Sequence, residues 1–176
     1  MKALKRLLCL CMAVCLAVGL SVPAFAAENR ERRGMHCVYD AIGESGGHLN
    51  LAGEGPAVTN RNVTVYSRTT NDDQVWYPDV SASHQGQKFF SAKSSNDGRR
   101  YALNINNSTG NCNIYPDIQG NDRDSLIGIS ENVNDPHLHI SIVLADAFHG
   151  MKQLSVSGTN VVWVVAEEPI HWTRCA

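Results

Sequence analysis

The sequence predicts an all-β protein of three similar units, each about 50 residues and four strands long, arranged with pseudo-threefold symmetry. Three observations carry that expectation. Apolar and polar residues alternate over short runs, as they do along a strand with one buried face. Turn residues interrupt those runs every 8 to 12 positions, and beyond the first 26 residues no segment keeps a capped helical period for more than about one turn. Finally, the same three sequence elements recur in order along the chain.

The 176 residues open on a segment that reads as a signal peptide. Lys2, Lys5 and Arg6 give it a positive start, Leu7 to Val22 an apolar core, and Ala24-Phe25-Ala26 the small residues of a cleavage site. Sixteen positions are too few to span a bilayer, which takes roughly 18 to 20, and no later segment approaches that length. Cys15 follows Met12-Ala13-Val14, which lacks the small residue that lipoprotein processing takes just before its cysteine. The expectation is a secreted protein, exported in a bacterial manner, with no membrane span. Residues 27–34 read as a flexible lead-in and 35–176 as one domain.

Without residues 1–26 the chain holds 12 basic and 17 acidic residues, a net charge of −5. That balance excludes a phosphate-tracking nucleic-acid binder, which needs a basic stripe. The longest basic run, Arg30 to Arg33, is diluted by Glu28 and Glu31. Of the six cysteines only Cys37, Cys112 and Cys175 lie beyond the leader. Cys37 near the start of the domain and Cys175 near its end suit a disulfide between the first and last strands. Cys112 sits in an alternating apolar stretch with no histidine nearby in sequence, a poor setting for a nucleophile.

The repeat is the strongest signal. Leu49-Asn50-Leu51 recurs as Leu103-Asn104-Ile105 and as Leu154-Ser155-Val156, after glycine-bearing turns at Gly47, Gly98 and Gly150. Asn62-Val63-Thr64-Val65-Tyr66 recurs as Asn111-Cys112-Asn113-Ile114-Tyr115 and, more loosely, as Asn160-Val161-Val162-Trp163-Val164, at intervals of 49 and 49 residues. Gln74-Val75-Trp76, Ser125-Leu126-Ile127 and Ile170-His171-Trp172 close the units, which run roughly 35–84, 85–135 and 136–176. The apolar stretch Val143 to Gln153 is read as a hairpin rather than a helix because Gly150 interrupts it. One such unit cannot bury its apolar faces alone. Three around an axis can, with the sheet edges sealed, and threefold repetition of four strands is a β-trefoil. An immunoglobulin-like sandwich also has short strands and frequent turns, but it does not explain three matched copies.

Leu49-Asn50-Leu51, Asn62 to Tyr66 and Asp72-Asp73-Gln74-Val75-Trp76 together resemble one repeat of the ricin-type β-trefoil lectins, whose repeats carry a Gln-x-Trp signature. The likeness spans the domain, is strongest in the first unit and is degenerate in the third. It implies that Trp76, Ile127 and Trp172 are core residues. It also implies a shallow sugar pocket on each competent unit, with an aromatic platform for the ring's apolar face and a few polar groups for its hydroxyls. In the first unit those roles fall to Asn50, Thr64, Tyr66, Asp73 and Gln74. In the second they fall to Asn104, Asn113, Tyr115 and Asp124, with Ser125 at the position of Gln74. The third unit offers Ser155, Val162 and Val164 and lacks a platform. Asn in place of the family's frequent Asp, and Tyr in place of its commoner Trp, imply weaker binding.

The implied partner is a glycan or polysaccharide, and no cofactor is implied. The alternative is a secreted trefoil that binds a protein partner through its loops, as a toxin subunit or as an inhibitor similar to the Kunitz trefoils. His137 and His139 share a strand face but lack further metal ligands, and Asp72-Asp73 and Asp122-x-Asp124 read as solvated turn carboxylates rather than a calcium site. Asn62 and Asn107 fit the glycosylation acceptor pattern, idle in a bacterial protein. No motif of an enzyme is present in the sequence.

Overall fold

The computed structural model describes residues 34–39, 46–81, 86–118, 123–131, 139–145 and 150–175, within a compact unit of Gly34–Ala176. The signal-peptide reading, residues 27–33 of the lead-in, His137 and Asp122 lie outside the described residues, and His139 enters only through its backbone. Gly34, the end of the expected lead-in, packs beside Val75.

Four strands fall in each unit. The first contributes β1 (His36–Tyr39), β2 (His48–Leu51), β3 (Val63–Tyr66) and β4 (Trp76–Val80). The second contributes β5 (Gln87–Ser91), β6 (Tyr101–Ile105), β7 (Cys112–Pro116) and β8 (Ile127–Glu131). The third contributes β9 (His139–Leu144), β10 (Gln153–Ser157), β11 (Asn160–Val164) and β12 (Trp172–Cys175). Strands β2–β3, β6–β7 and β10–β11 form hairpins, while β4–β5, β8–β9 and β1–β12 join successive units. One sheet runs β10-β11-β3-β2-β1-β12-β9-β8, and a β10–β9 pairing closes seven of its strands into a ring. The remaining strands form the sheet β4-β5-β6-β7. Gln153 pairs with Val143 antiparallel, so the segment around Gly150 is flanked by paired strands, as its glycine implied.

The three hairpins are tied to one another by matched hydrogen bonds. Val65 N–H donates to the Thr159 carbonyl at 2.9 Å, Ile114 N–H to Arg61 at 3.0 Å, and Trp163 N–H to Gly110 at 2.9 Å. Donors and acceptors alike step by 49 residues, the interval of the sequence repeat. Each hairpin therefore donates to one neighbour and accepts from the other.

Period-2 alternation decides what lies inside. Leu49, Leu103 and Leu154 stand at equivalent positions in the core, with Trp76, Ile127 and Trp172 buried beside them. The indoles of Trp76 and Trp172 donate to the carbonyls of Leu49 and Leu154, both at 3.0 Å, so the polar edge of each buried ring is satisfied. Leu51 and Ile105 are fully buried, but Val156, their counterpart, is only partly covered. Gly98 and Gly150 precede β6 and β10 with φ of 69° and 66°, a left-handed backbone that glycine adopts without steric cost. Gly47 is required for a different reason, since a Cβ there would meet Val65 Cβ at 2.6 Å.

The expected disulfide is not formed. Cys37, Cys112 and Cys175 are all free thiols. Strands β1 and β12 do pair, but the register sets Cys37 opposite Arg174 and Cys175 opposite His36. Residues directly opposite share a face, so this one-residue offset points the two thiols to opposite sides of the sheet. Burial pushes the Cys37 and Cys112 thiols far up from their ordinary values, which leaves both inert as nucleophiles.

Candidate functional sites on two units

In the first unit the pairs Leu49–Val65 and Leu51–Val63 alternate with Asn50–Thr64 and His48–Tyr66. Leu49, Leu51 and Val63 turn into the core, so Asn50, Thr64 and Tyr66 are presented together on the outer face. They line a cleft of about 530 Å³ with Asp73. Tyr66 is 61% exposed, so its ring faces solvent and is not a packed strand tyrosine. Asn50 Nδ2 donates to Thr64 Oγ1 at 3.3 Å.

Behind these residues lies Gln74, which is wholly buried and does not line the cleft. Its amide donates to the Ser67 carbonyl at 2.8 Å and to Asn50 Oδ1 at 3.3 Å, while its Oε1 accepts from Thr69 N–H at 2.7 Å. Gln74 thus fixes the wall and orients Asn50. It occupies a 3-10 turn, Asp72–Gln74, capped by Asn71, whose Oδ1 accepts from Asp73 N–H. Asp73 is buried, and its Oδ1 is ion-paired with Lys93 at 3.1 Å and with Arg61 at 3.6 Å, so its charge is compensated although that oxygen accepts no hydrogen bond among the described residues.

The second unit repeats the construction. Asn104 pairs with Asn113 and Ala102 with Tyr115 on one face, and Asn104, Asn113, Tyr115 and Asp124 line a cleft of about 400 Å³. Asn104 Nδ2 donates to Asn113 Oδ1 at 2.9 Å, the counterpart of Asn50 to Thr64. Ser125 Oγ donates to Asn104 Oδ1 at 2.9 Å, the counterpart of Gln74 to Asn50. Tyr115 is half-buried, its ring less open than that of Tyr66. In the third unit Val162 and Val164 stand where the other units carry Thr64 or Asn113 and Tyr66 or Tyr115.

Sequence reasoning missed two contributions. The first is that a neighbouring unit reaches each cleft: Thr159 lines the first and Asn60 the second. Asn60 adopts a φ of 65° and accepts from Asn113 Nδ2 at 3.0 Å. The second is Arg61. Its guanidinium donates to the carbonyls of Ala52 at 2.6 Å, Gly55 at 2.8 Å and Pro56 at 2.9 Å, and also to that of Gly53. It thereby holds the loop that forms one wall of the first cleft. The corresponding positions are Gly110 and Thr159, so departure from the repeat was the only available signal.

His48, the cross-strand partner of Tyr66, meets His36 edge to face at 5.9 Å between ring centroids. Burial, followed by the charge of Arg68, holds His36 below its ordinary value. Burial, then His36 and Arg68, does the same for His48.

Two solved structures are similar to this chain. The designed 3-fold symmetric protein ThreeFoil matches with a TM-score of 0.58 at 18% identity, over 81% of this chain and 98% of its own. The fold is a β-trefoil. SeviL, in a structure bound to asialo-GM1 saccharide, matches the trefoil with a TM-score of 0.51 at 15% identity, over 81% of this chain and 96% of its own. At these identities the likeness is one of fold. No protein-family model matches the chain, and no curated protein matches it.

Proposed function

We propose that this trefoil is a secreted, non-catalytic carbohydrate-binding module of ricin type, with working sites on its first and second units. The observation that carries the reading is the duplicated construction. In each cleft a tyrosine stands beside an amide on the preceding strand, a second polar side chain opposite it and a carboxylate from the closing segment. A pyranose has one apolar face and a rim of hydroxyls, and this arrangement offers a partner to each. SeviL, bound to a saccharide on the same fold, supports the reading at the level of the fold.

Each shallow cleft is expected to hold a monosaccharide only at about millimolar strength, near −4 kcal/mol, so useful retention comes from two clefts on one multivalent glycan. The test is a glycan array on the wild type, followed by retention of the best glycan by variants. Tyr66→Ala should abolish most retention and Tyr115→Ala less. Unchanged retention in both variants, or no wild-type binding to any glycan, would turn the reading toward a protein partner engaged through the loops.

A further inference from the structure

A one-way chain of hydrogen bonds runs through the second cleft and ends on a neighbouring unit. Ser125 Oγ donates to Asn104 Oδ1 at 2.9 Å, Asn104 Nδ2 to Asn113 Oδ1 at 2.9 Å, and Asn113 Nδ2 to Asn60 Oδ1 at 3.0 Å. Resting on the reading of this cleft as a sugar site, we propose that Asn60, contributed by the first unit, donates to a sugar hydroxyl there and is a specificity-determining residue of the second cleft.

Both amide hydrogens of Asn104 are spent, the second on the Ile105 carbonyl at 2.9 Å, and the residue is buried. Asn113 is buried too and gives a hydrogen to Asn60. Asn60 differs from both. It is exposed and lines the cleft, and because its oxygen is the acceptor in the chain, its Nδ2 hydrogens stay uncommitted among the described residues. Hydrogen bonds that all run in the same sense polarise one another, which strengthens the last donor. The group it suits is an acceptor, and a sugar hydroxyl oxygen is one.

The backbone fixes where that amide stands. Asn60 N–H donates to the Ile114 carbonyl at 2.9 Å and Ile114 N–H to the Arg61 carbonyl at 3.0 Å, which binds the tip of the β2–β3 hairpin to the strand carrying Asn113 and Tyr115. Its φ of 65° is a left-handed backbone that is unfavourable for a residue with a side chain and free of steric cost for glycine. Two intervals of 49 residues further on, the matching tip of the third unit carries Gly158, with a φ of 61°. That tip adjoins the first cleft, where Thr159 lines the wall and no amide enters from it. The left-handed backbone thus bears a side chain at the tip where an amide reaches a cleft. In the first cleft the corresponding chain runs from Gln74 to Asn50 to Thr64 and ends within its own unit.

The experiment uses the full protein carrying Tyr66→Ala, so that the second cleft is read alone, and ligand-observed NMR with the methyl glycosides of galactose, glucose, mannose and N-acetylgalactosamine. The best-bound glycoside is then compared with its deoxy analogues, each lacking a single ring hydroxyl, on this protein and on one that also carries Asn60→Gly. Glycine keeps the left-handed backbone, so the added substitution should leave circular dichroism and thermal midpoint close to those of the parent. Affinity for the intact glycoside should fall roughly fivefold to tenfold. One deoxy analogue should lose a similar factor when Asn60 is present and little more when it is glycine, a pairing that a purely structural role of Asn60 would not produce. Fluorine at that same ring position accepts but cannot donate, so the fluoro analogue should bind at least as well as the deoxy one. An intact-glycoside affinity unmoved by Asn60→Gly, a loss equal for the intact sugar and every deoxy analogue, or a fluoro analogue weaker than the deoxy one would overturn the proposal and leave the sugar reading standing. Wild-type binding that Tyr66→Ala abolishes outright would do the same, since the second cleft would then hold no sugar. A wild type that binds no glycoside would remove both readings.

Discussion

Tyr66 and Gln74 belong to the same short stretch of chain, yet substitutions at the two positions should behave in opposite ways. Most of the Tyr66 ring is already in water, so Tyr66→Ala should change unfolding free energy by less than about 0.5 kcal/mol in a denaturant titration. Gln74 is buried with its amide fully used, so Gln74→Ala should cost about 1 to 3 kcal/mol by leaving the Thr69 N–H and the Ser67 carbonyl without it. It should also weaken the first cleft while sparing the second, because it supports Asn50. The histidine pair gives a pH dependence whose sign is fixed. Both groups titrate below their ordinary value of 6.5 in the folded chain, so the unfolded chain takes up protons first as pH falls. Stability should therefore be constant above about pH 7.5 and decline as pH drops through 6.5 toward the lower folded values. Thermal midpoints between about pH 8 and 5 check this, and His48→Gln should flatten the slope. Most of the site residues were legible because they alternate with core leucines and valines. Arg61 was not legible, because its partners are backbone carbonyls and a carbonyl leaves no mark in a sequence.

The β2–β3 hairpin and the loop that Arg61 holds form the element on which the first cleft depends. Arg61→Lys keeps the charge near Asp73 but loses the planar fork, so it cannot bridge the Ala52, Gly53, Gly55 and Pro56 carbonyls together. Glycan affinity of the first cleft should fall at least about tenfold, measured in a Tyr115→Ala background so that the second cleft does not mask the loss. Strand pairing was less legible than strand position. Cys37 and Cys175 do fall on adjacent strands, as their places near the chain ends suggested, but the side chain that faces each of them is set by a register one residue away from the one a disulfide needs. Alkylation of the denatured, unreduced protein followed by peptide mapping should find Cys37, Cys112 and Cys175 all modified. A bridged Cys37–Cys175 peptide would refute the register.

Across the molecule, the fold was legible because a period near 50 residues carries turn, strand and a closing apolar residue (Trp76, Ile127, Trp172) together, and few architectures accept three such copies. The third unit shows how far sequence alone reaches. Its Leu154 and Trp172 keep the core positions while Val162 and Val164 abandon the outer ones, so scaffold and site have parted within one repeat. The β1–β12 pairing, described above for its register, also brings residues 36 and 175 side by side. Nothing in the three matched units then marks one join between them as the necessary place for the chain to begin. A gene rearranged to start at Gln87 and end at Val80, with a short linker across the old termini, should still fold to the same trefoil and keep both clefts. Near-identical circular dichroism and a thermal midpoint within about 10 °C of the parent would bear that out. The molecule is in this sense a closed loop of interchangeable joints, in which the order of synthesis and the order of assembly are separate matters.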